Sequence, residues 1–254
     1  MNKLATVMML SYNNIQYMKG AIDSLLNQSY EQIELIISDD GSNDFDEIFI
    51  ESIREYIESN KKDNLVNYII RKNEINIGTV KNINKIILLS SGNYLIPLSC
   101  DDEFYDKDVV RDIVEYFDTH EQIIATGYRV YFDENLEIVN DIYPKQKDIE
   151  YLYRTPQELY KRLCSGNFIS GSSTPYTRAF IEKYGLFDED YRLLEDFPKY
   201  LNITRRGCSI GFINRKLVKY RYGGVSTNNT KNIIKEQFYN DHITLNKKEI
   251  FPYN

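Results

Sequence analysis

Short apolar runs alternate with helix-spaced apolar residues through the first part of the chain, and this alternation constrains the fold more than any other feature. The runs Leu4 to Leu10, Ile33 to Ile37, Leu65 to Ile70 and Tyr94 to Leu98 have the length of buried strands. After the first run, apolar residues recur at helical spacing, at Ile15, Met18, Ile22, Leu25 and Leu26. Strands that alternate with helices form βαβ units, so we expect an α/β fold with a single, mainly parallel central sheet flanked by helices.

Polar segments follow the predicted strands. Ser11-Tyr-Asn-Asn14 follows the first strand, Ser38 to Asp44 the second, and Arg71 to Gly78 the third. In open α/β sheets, ligands bind at the carboxyl ends of the strands, so these segments should line a site. The ring of Tyr12 can stack on a nucleobase there.

Asp39, at the end of the second predicted strand, has two interpretations. Its carboxylate can accept a hydrogen bond from the N3–H of a uracil. Asp39-Asp-Gly-Ser42 is also typical of a turn, with a helix cap following at Asp44.

Leu95 to Glu103 is an apolar run that ends in three carboxylates, those of Asp101, Asp102 and Glu103. Adjacent carboxylates repel one another and are best tolerated beside a cation, and oxygen ligands favour Mg²⁺ or Mn²⁺. A helix N-terminus is the alternative, because helix-spaced apolar residues follow from Val109 to Phe117. The chain has neither a Walker loop nor a G-x-G-x-x-G motif, so a bound diphosphate would need a metal at Asp101 to balance its charge.

Composition excludes several classes of protein. The 254 residues are enough for one large domain. No apolar run approaches the roughly 20 residues that span a bilayer, and no signal-peptide pattern is present, so a cytoplasmic location is expected. Cys100, Cys164 and Cys208 form no C-x-x-C pair, and the histidines are His120 and His242, so neither a zinc site nor a disulfide framework is expected.

Charge is unevenly distributed in this chain, whose formal net charge is −7. Residues 199–254 contain eleven Lys and Arg but three Asp and Glu. The acidic remainder argues against nucleic-acid binding, whereas the basic part could neutralise a phosphorylated ligand, contact anionic lipid or simply be a solvated surface. Residues 228–254 have the pattern of an amphipathic helix, which would pack on its own domain or contact a membrane surface or a partner.

The second half is less regular. Ile123 to Phe132 and Leu136 to Ile142 flank a turn and indicate a hairpin. Thr155-Pro-Gln-Glu158 is typical of a helix start. Glu195 and Asp196 precede helix-spaced apolar residues, so they lie at a helix start, where the dipole would keep Asp196 ionised; they could also simply cap that helix.

Several of these segments occur in the order found in one enzyme family. They are Val7 to Asn14, Ile36 to Asp44, Asn76-Ile-Gly78 with Asn84, Gly92 to Asp102, Gly185 to Glu189, and Leu194-Glu-Asp-Phe197. Together they resemble the family 2 glycosyltransferases over residues 4–226. The resemblance implies a glycosyltransferase A-type fold, a nucleotide-sugar donor, Mn²⁺ or Mg²⁺ as cofactor, and inversion at the anomeric carbon.

The resemblance assigns residues to the donor. Tyr12 and Asp39 would hold the nucleobase, and Asp101 would bind the metal with Asp102 beside it. Ser99 stands where the family has the first aspartate of its Asp-x-Asp motif, so one contact to the donor sugar or ribose is weakened or made by another group. The full set implied for nucleotide and donor is Ser11, Tyr12, Asn14, Asp39, Asp40, Asn76, Gly78, Asn84, Ser99, Cys100, Asp101 and Arg221.

The resemblance also covers the transfer step. It assigns the general base to Asp196 and leaves Glu195 to orient the acceptor or hold the loop. Gly166 to Thr174 resembles the acceptor-side segment, where Ser172 and Ser173 would lie.

Tyr220 to Ser226 resembles a loop that contains a histidine in many relatives. No histidine is present here, so Arg221 or Ser226 could contact the diphosphate instead.

The resemblance therefore implies an inverting, metal-dependent hexosyl- or N-acetylhexosaminyltransferase. It would move a sugar from a UDP-sugar, or from a dTDP- or GDP-sugar, to a hydroxyl of a cell-surface glycan or lipid-linked acceptor. Residues 1–226 would form the catalytic domain, with a nucleotide-binding half at 1–102 and an acceptor-binding half at 103–226. Residues 227–254 would form a helical extension. The basic C-terminal part could contact the membrane. The alternative is a catalytically weakened nucleotide-sugar-binding relative or a nucleotidyltransferase-like enzyme.

Overall fold

The computed structural model describes residues 3–222 and 232–253, and its first hundred residues alternate strand and helix as predicted. The strands are β1 (Ala5–Ser11), β2 (Ile33–Asp39), β3 (Leu65–Lys72), β4 (Tyr94–Ser99), β5 (Glu103–Phe104), β6 (Ala125–Phe132), β7 (Val139–Tyr143), β8 (Tyr176–Thr177) and β9 (Gly211–Arg221). The helices are α1 (Met18–Leu26), α2 (Glu47–Asn60), α3 (Thr79–Leu89), α4 (Val109–Thr119), α5 (Gln146–Leu152), α6 (Pro156–Leu163), α7 (Arg178–Tyr184), α8 (Asp196–Arg205) and α9 (Asn232–Leu245).

The central sheet has the strand order β3-β2-β1-β4-β8. Its first four strands are parallel and β8 is antiparallel, which confirms the predicted mainly parallel sheet flanked by helices. The chain leaves β1 towards β2 on one side and returns to β4 on the other. The carboxyl ends of β1 and β4 are therefore a topological switch point, where open α/β sheets bind their ligands.

A second sheet, β5-β9-β6-β7, lies beyond the single sheet expected from the sequence. The predicted hairpin is present as the antiparallel pair β6 and β7. β9 pairs in parallel with β6, and Glu103 of β5 lies opposite Lys219 of β9. These pairings join segments about a hundred residues apart and bring Arg221, at the end of β9, to the turn that follows β4.

Apolar residues pack on both faces of the central sheet. Val7 and Met9 of β1 belong to one buried cluster and Met8 to the other, because successive side chains of a strand point to opposite faces. A parallel strand covered on both faces therefore appears in the sequence as a continuous apolar run. In α2 the buried residues are Ile53 and Ile57, whereas Ile48, part of the same helical pattern, is exposed.

Helix starts match the sequence in part. α6 begins within Thr155-Pro-Gln-Glu158 as expected, and the structure shows in addition that Thr155 and Glu158 form its capping box. The cap of α2 is Asp46, whose Oδ1 accepts from the N–H of Phe49 at 2.8 Å, and not Asp44, because the helix begins at Glu47.

α9 follows the undescribed stretch at 223–231 and packs on the body of the protein through Asp241 and Leu245, which are buried. None of the helices in the described part of the chain combines the length and the apolar character needed to cross a membrane. The three cysteines are free thiols, of which Cys100 and Cys208 are buried.

Candidate functional site

A cavity of about 850 Å³ opens at the carboxyl ends of β1 and β4, where the sheet topology predicts a site. Most of the predicted site residues line it: Ser11, Tyr12, Asn14, Asp40, Asn76, Gly78, Ser99, Asp101, Ser172, Glu195 and Asp196. The predicted residues that do not line it are Asp39, Asn84, Cys100, Asp102, Ser173 and Arg221. Residues that the resemblance assigns to the donor and residues that it assigns to the acceptor thus line one cavity.

Asp39, the last residue of β2, is fully buried and does not line the cavity. Its Oδ1 accepts from the N–H of Ser42 at 2.7 Å, and its Oδ2 accepts from the Ser42 hydroxyl at 2.6 Å. The neighbouring Asp40 does line the cavity, and its oxygens also accept from the N–H groups of Ile77 and Gly78 at 3.0 and 2.9 Å. These contacts are those of the turn interpretation of Asp39, and they make Asp40 a second candidate for the nucleobase.

The loop after β1 is fixed from beneath by Cys100. The Cys100 thiol donates to Oδ1 of Asn14 at 2.8 Å, and the N–H of Tyr12 donates to the same oxygen at 3.1 Å. Burial raises the pKa of the Cys100 thiol well above its ordinary value, so it keeps the proton that it donates. Tyr12 itself is 36% exposed, which leaves its ring open to a flat ligand.

Asp101 and Asp102 form a turn between β4 and β5. Their alternative role at a helix N-terminus is wrong, since α4 begins only at Val109. Burial raises the pKa of Asp101, and burial together with the negative charge of Asp101 raises that of Asp102. Oδ2 of Asp102 is buried and accepts no hydrogen bond from the described residues.

These two carboxylates fit a divalent cation. A positive charge would reduce the repulsion between Asp101 and Asp102 and would give Oδ2 of Asp102 a partner. No group of three His, Cys, Asp or Glu residues able to hold a metal occurs within the ranges that the structure covers. Mg²⁺ is commonly bound by one or two carboxylates together with substrate phosphates. Asp101 and Asp102 therefore suit a metal whose remaining ligands would come from a bound ligand and water.

Arg221 lies against the same turn without facing the cavity. Its backbone N–H donates to Oδ1 of Asp102 at 3.0 Å, and its Nε donates to the carbonyl oxygen of Asp101 at 2.9 Å. The guanidinium also donates to the carbonyl of Glu134. In this arrangement Arg221 shapes the turn, and Ser226, the other residue considered for the diphosphate, lies outside the described residues.

Asn84 and Asn76 have different surroundings. Nδ2 of Asn84 donates to the carbonyl of Phe187 at 2.9 Å, and its Oδ1 accepts from the N–H of Phe187 at 3.0 Å, so this side chain holds the segment after α7. Asn76 faces the cavity, where its Oδ1 accepts from Nη2 of Arg192 at 2.6 Å.

The paired carboxylates lie at the start of α8, as the sequence predicts. Oδ2 of Asp196 accepts from the N–H of Gly171 at 3.0 Å, and Oδ1 accepts from the N–H of Phe197 at 2.6 Å. Burial raises the pKa of Asp196, and these two hydrogen bonds oppose the rise. Burial and the charge of Asp196 raise the pKa of Glu195 to about 8.

The acceptor-side segment contributes one of its two predicted serines. Ser172 lines the cavity and shares a hydrogen bond of 3.0 Å with the hydroxyl of Ser170. Ser173 is 2% exposed and its carbonyl accepts from the hydroxyl of Thr126, so it belongs to the supporting structure.

Arg129 on β6 is a cavity residue that the sequence analysis missed. Its guanidinium carbon lies 4.6 Å from the ring centroids of Tyr131 and Tyr220, and Nε is buried without a hydrogen bond to the described residues. The positive charge of Arg129 lowers the pKa of Asp102 and of Asp196, against the rise that burial causes. A lone arginine in a strand carries no motif, and its role becomes visible only in the fold.

Comparisons with known proteins agree with this arrangement. Residues 6–185 match the sequence model of the family described as Glycosyl transferase family 2. An uncharacterized glycosyltransferase of Haemophilus influenzae is 28% identical over 236 residues, which are 90% of this chain and 68% of that protein. A putative colanic acid biosynthesis glycosyl transferase of Escherichia coli is 26% identical over 206 residues, which are 80% of this chain and 67% of that protein.

Solved structures show the same fold. S. aureus TarS in complex with UDP-GlcNAc has a TM-score of 0.68 at 17% identity, covering 95% of this chain and 65% of that chain. A mannosyltransferase from Pyrobaculum calidifontis, in complex with GDP-Man and Mn²⁺, has a TM-score of 0.58 at 15% identity, covering 85% of this chain and 55% of that chain. The likeness confirms the predicted glycosyltransferase A-type fold. This chain spans about two thirds of the length of the curated relatives named above. Because the family match extends over more than half of its residues, the chain belongs to glycosyl transferase family 2.

Proposed function

We propose that this glycosyltransferase moves a sugar, with inversion, from a UDP-sugar to a hydroxyl of a cell-surface glycan or lipid-linked acceptor in a metal-dependent reaction. The observation that carries the proposal is that one cavity is lined both by Asp101 and by the pair Glu195 and Asp196. A donor held at the first and an acceptor held at the second would meet in that cavity. A solved relative of the same fold holds UDP-GlcNAc, which supports a UDP-sugar as the donor.

In this proposal the nucleobase lies at the ends of β1 and β2. Tyr12 offers its ring for stacking, and Asp40 offers a carboxylate at the cavity wall, with Ser11 and Asn14 alongside. Asn76 and Gly78 would line the ribose or the donor sugar, beside Ser99. Ser99 cannot supply the charge of the aspartate it replaces, so Asp101 and Asp102 would hold the metal without a third carboxylate.

A divalent cation, when bound, would offset the charge that develops on the leaving diphosphate. Asp101 and Asp102 would hold it, and Arg129, on β6 of the second sheet, would supply a second positive charge. Arg129 suits this role because its Nε has no partner in the described part of the chain and because arginine pairs well with phosphate oxygens.

Asp196 would act as the general base. Inversion by a single displacement needs a group that takes the proton of the acceptor hydroxyl while that hydroxyl attacks the anomeric carbon opposite the leaving group. A general base must be ionised before the reaction. The N–H groups of Gly171 and Phe197 stabilise the ionised form of the Asp196 carboxylate. Glu195 would orient the acceptor, with Ser172 on the acceptor side of the cavity.

The acceptor would reach the site at the cytoplasmic side of a membrane. The basic C-terminal part, with eleven Lys and Arg in residues 199–254, supports peripheral contact with anionic lipid. The acceptor class itself follows from the family and not from a particular contact.

Thermal stability with nucleotide and metal tests the proposal. UDP together with Mn²⁺ should raise the melting temperature of the protein much more than either alone, because ligand binding stabilises the folded state by mass action. Asp101→Asn should remove the metal-dependent part of the rise. Asp106→Asn, which changes an exposed aspartate paired with Arg215, is the matched control and should behave as wild type.

An equal rise with UDP in EDTA would contradict metal dependence. This chain has Ser99 where the family has the first aspartate of its Asp-x-Asp motif. That difference favours the alternative, a nucleotide-sugar-binding relative with weakened catalysis. That alternative predicts the same thermal shift but no release of UDP from UDP-sugars in the presence of Mn²⁺.

A further inference from the structure

Asp241 of α9 binds three consecutive backbone amides of the segment that precedes the paired carboxylates. Its Oδ1 accepts from the N–H of Arg192 at 3.0 Å. Its Oδ2 accepts from the N–H groups of Leu193 at 2.7 Å and Leu194 at 3.0 Å, and also lies 3.1 Å from the N of Arg192. Asp241 is 4% exposed, so water does not compete for these bonds. One carboxylate thus satisfies the backbone of a segment that has no regular secondary structure.

Residues 192–194 connect directly to Glu195 and Asp196 and line the same cavity. The carbonyl oxygen of Arg192 accepts from the N–H of Val80 at 3.2 Å, and its Nη2 donates to the carbonyl and Oδ1 of Asn76 at 3.0 and 2.6 Å. The segment is therefore fixed at one side to the donor-side loop and at the other to α9. A shift of this segment would move the carboxylates that follow it.

The strength of the attachment follows from its chemistry. Hydrogen bonds from N–H groups to a carboxylate are shorter and stronger than those between neutral groups. Buried amides left without an acceptor are costly, so the segment depends on Asp241 for the conformation it has. The side chains of α9 that face the cavity are Ile234, Gln237 and Phe238, so the helix that carries Asp241 also forms part of the cavity wall.

We propose that Asp241 is a positioning residue of the transfer reaction, which holds residues 192–194 so that Asp196 meets the acceptor hydroxyl. The proposal rests on the proposed function, in which Asp196 is the base. It gives the C-terminal helix a part in catalysis, although the helix lies beyond the residues matched by the family model. A reacting group displaced by about 1 Å can lose about 10²-fold in rate, so a small shift of the segment is enough to matter.

The residues after α9 also contact the loop that precedes residues 192–194, and removal of this second contact serves as a matched control. Nζ of Lys248 lies 2.6 Å from Oδ2 of Asp188 and 2.6 Å from Oδ2 of Asp190, at an exposed surface. Lys248→Ala removes this attachment without touching residues 192–194. If general docking of the tail were all that mattered, Lys248→Ala and Asp241→Asn would have similar effects on the reaction.

The first experiment measures UDP release from the UDP-sugar that the wild type hydrolyses fastest, per folded molecule. Asp241→Asn should lower kcat by about 10- to 100-fold and leave KM for the UDP-sugar within about threefold. Asp241→Glu keeps a carboxylate but moves it, so it should fold even if Asp241→Asn does not, and its kcat should lie between that of Asp241→Asn and that of the wild type. Lys248→Ala should keep the wild-type kcat. Wild-type kcat in both Asp241 variants, or an equal loss in Lys248→Ala, would overturn the proposal.

A double-mutant cycle separates this proposal from the proposed function. In an Asp196→Asn background, Asp241→Asn should cost less than about twofold in kcat, because the base that it positions is already removed. A full second loss in that background would overturn the positioning role. A wild-type rate in Asp196→Asn alone would instead contradict the base assigned in the proposed function.

Discussion

The backbone N–H of Gly171 donates to Oδ2 of Asp196 at 3.0 Å. This contact joins the acceptor-side segment to the proposed base, and it leaves no room for a side chain. A Cβ at position 171 would lie 2.7 Å from Oε1 of Glu195 and 3.3 Å from Cβ of Asp196. The glycine therefore permits both carboxylates to approach the segment that lies across from them.

Gly171→Ala should lower the rate of sugar transfer by about 10-fold or more, because the added methyl group must displace Glu195 or Asp196. The affinity for UDP should not change, since the nucleotide end of the cavity is untouched. Gly20→Ala is the matched control. Gly20 lies on α1, outside the cavity, and a Cβ there would lie 2.9 Å from another carboxylate oxygen, Oε1 of Glu103. Initial rates and calorimetric UDP binding of the two variants check the prediction, which fails if both lose activity equally.

Replacing Asp39 and Asp40 one at a time should show which of the two aspartates contacts the nucleobase. Asp39→Ala leaves the buried N–H of Ser42 without its acceptor, so the free energy of unfolding should fall by about 1–3 kcal/mol while the UDP affinity of the folded protein is unchanged. Asp40→Ala should also lower the free energy of unfolding, because the N–H groups of Ile77 and Gly78 lose their acceptor. Unlike Asp39→Ala, it should also weaken binding of both UDP and uridine to the folded protein. Urea unfolding and calorimetry measure the two effects. If Asp39→Ala lost uridine binding and Asp40→Ala kept it, Asp39 would be the residue that contacts the nucleobase.

This pair of aspartates shows how far the sequence could be used to locate the site. The alternation of apolar runs and helical patterns specified the central sheet, because parallel strands buried on both faces leave an unambiguous signal. Asp101 and Asp196 both line the cavity, since Asp101 lies in the turn after β4 and Asp196 begins α8. The choice between Asp39 and Asp40 depends on the direction of one side chain at a strand end, which no spacing rule determines.

The second sheet explains why Arg129 was missed. β6 pairs with β9, which lies far along the chain, so no local sequence pattern indicates that β9 is its partner. The pairing also contains register shifts between Gly127 and Tyr128 and between Tyr128 and Arg129. Such shifts break the simple alternation of inward and outward side chains, so the side on which Arg129 lies could not be read from the sequence.

Arg129→Met should raise the dissociation constant for UDP by about 10-fold or more, because hydrogen bonds to a charged group contribute about 1.5–3 kcal/mol. Uridine, which lacks the diphosphate, should bind as it does to the wild type. Arg215→Met is a suitable control, since Arg215 is exposed and pairs with Asp106 and Asp112 away from the cavity. Calorimetric titration with both ligands is the measurement, and equal losses for UDP and uridine would assign Arg129 to the fold.

The contribution of Glu195 to the stability of the fold should fall as the pH rises. Burial and the charge of Asp196 raise the pKa of Glu195 from 4.5 to about 8 in the folded protein. Between these values the unfolded chain has lost the proton that the folded chain keeps, so the folded state binds more protons and is progressively less favoured as the pH rises. The contribution is fully present below the unfolded pKa and is lost as the pH passes through the folded one.

Urea unfolding of wild type and Glu195→Gln from about pH 5 to about pH 8.5 measures this contribution. The wild type should become less stable relative to the variant across the range, since glutamine does not ionise. Parallel stability curves for the two proteins would show that Glu195 titrates normally in the fold.

Release of UDP from UDP-sugars in the presence of Mn²⁺, with water as the acceptor, tests most directly the claim that Asp196 is the base of a glycosyl transfer. The wild type should release UDP from at least one UDP-sugar. Asp196→Asn should bind UDP with unchanged affinity and release it about 10²–10⁴-fold more slowly, the usual cost of losing a general base. Release by Asp196→Asn at the wild-type rate, with UDP binding intact, would contradict the account.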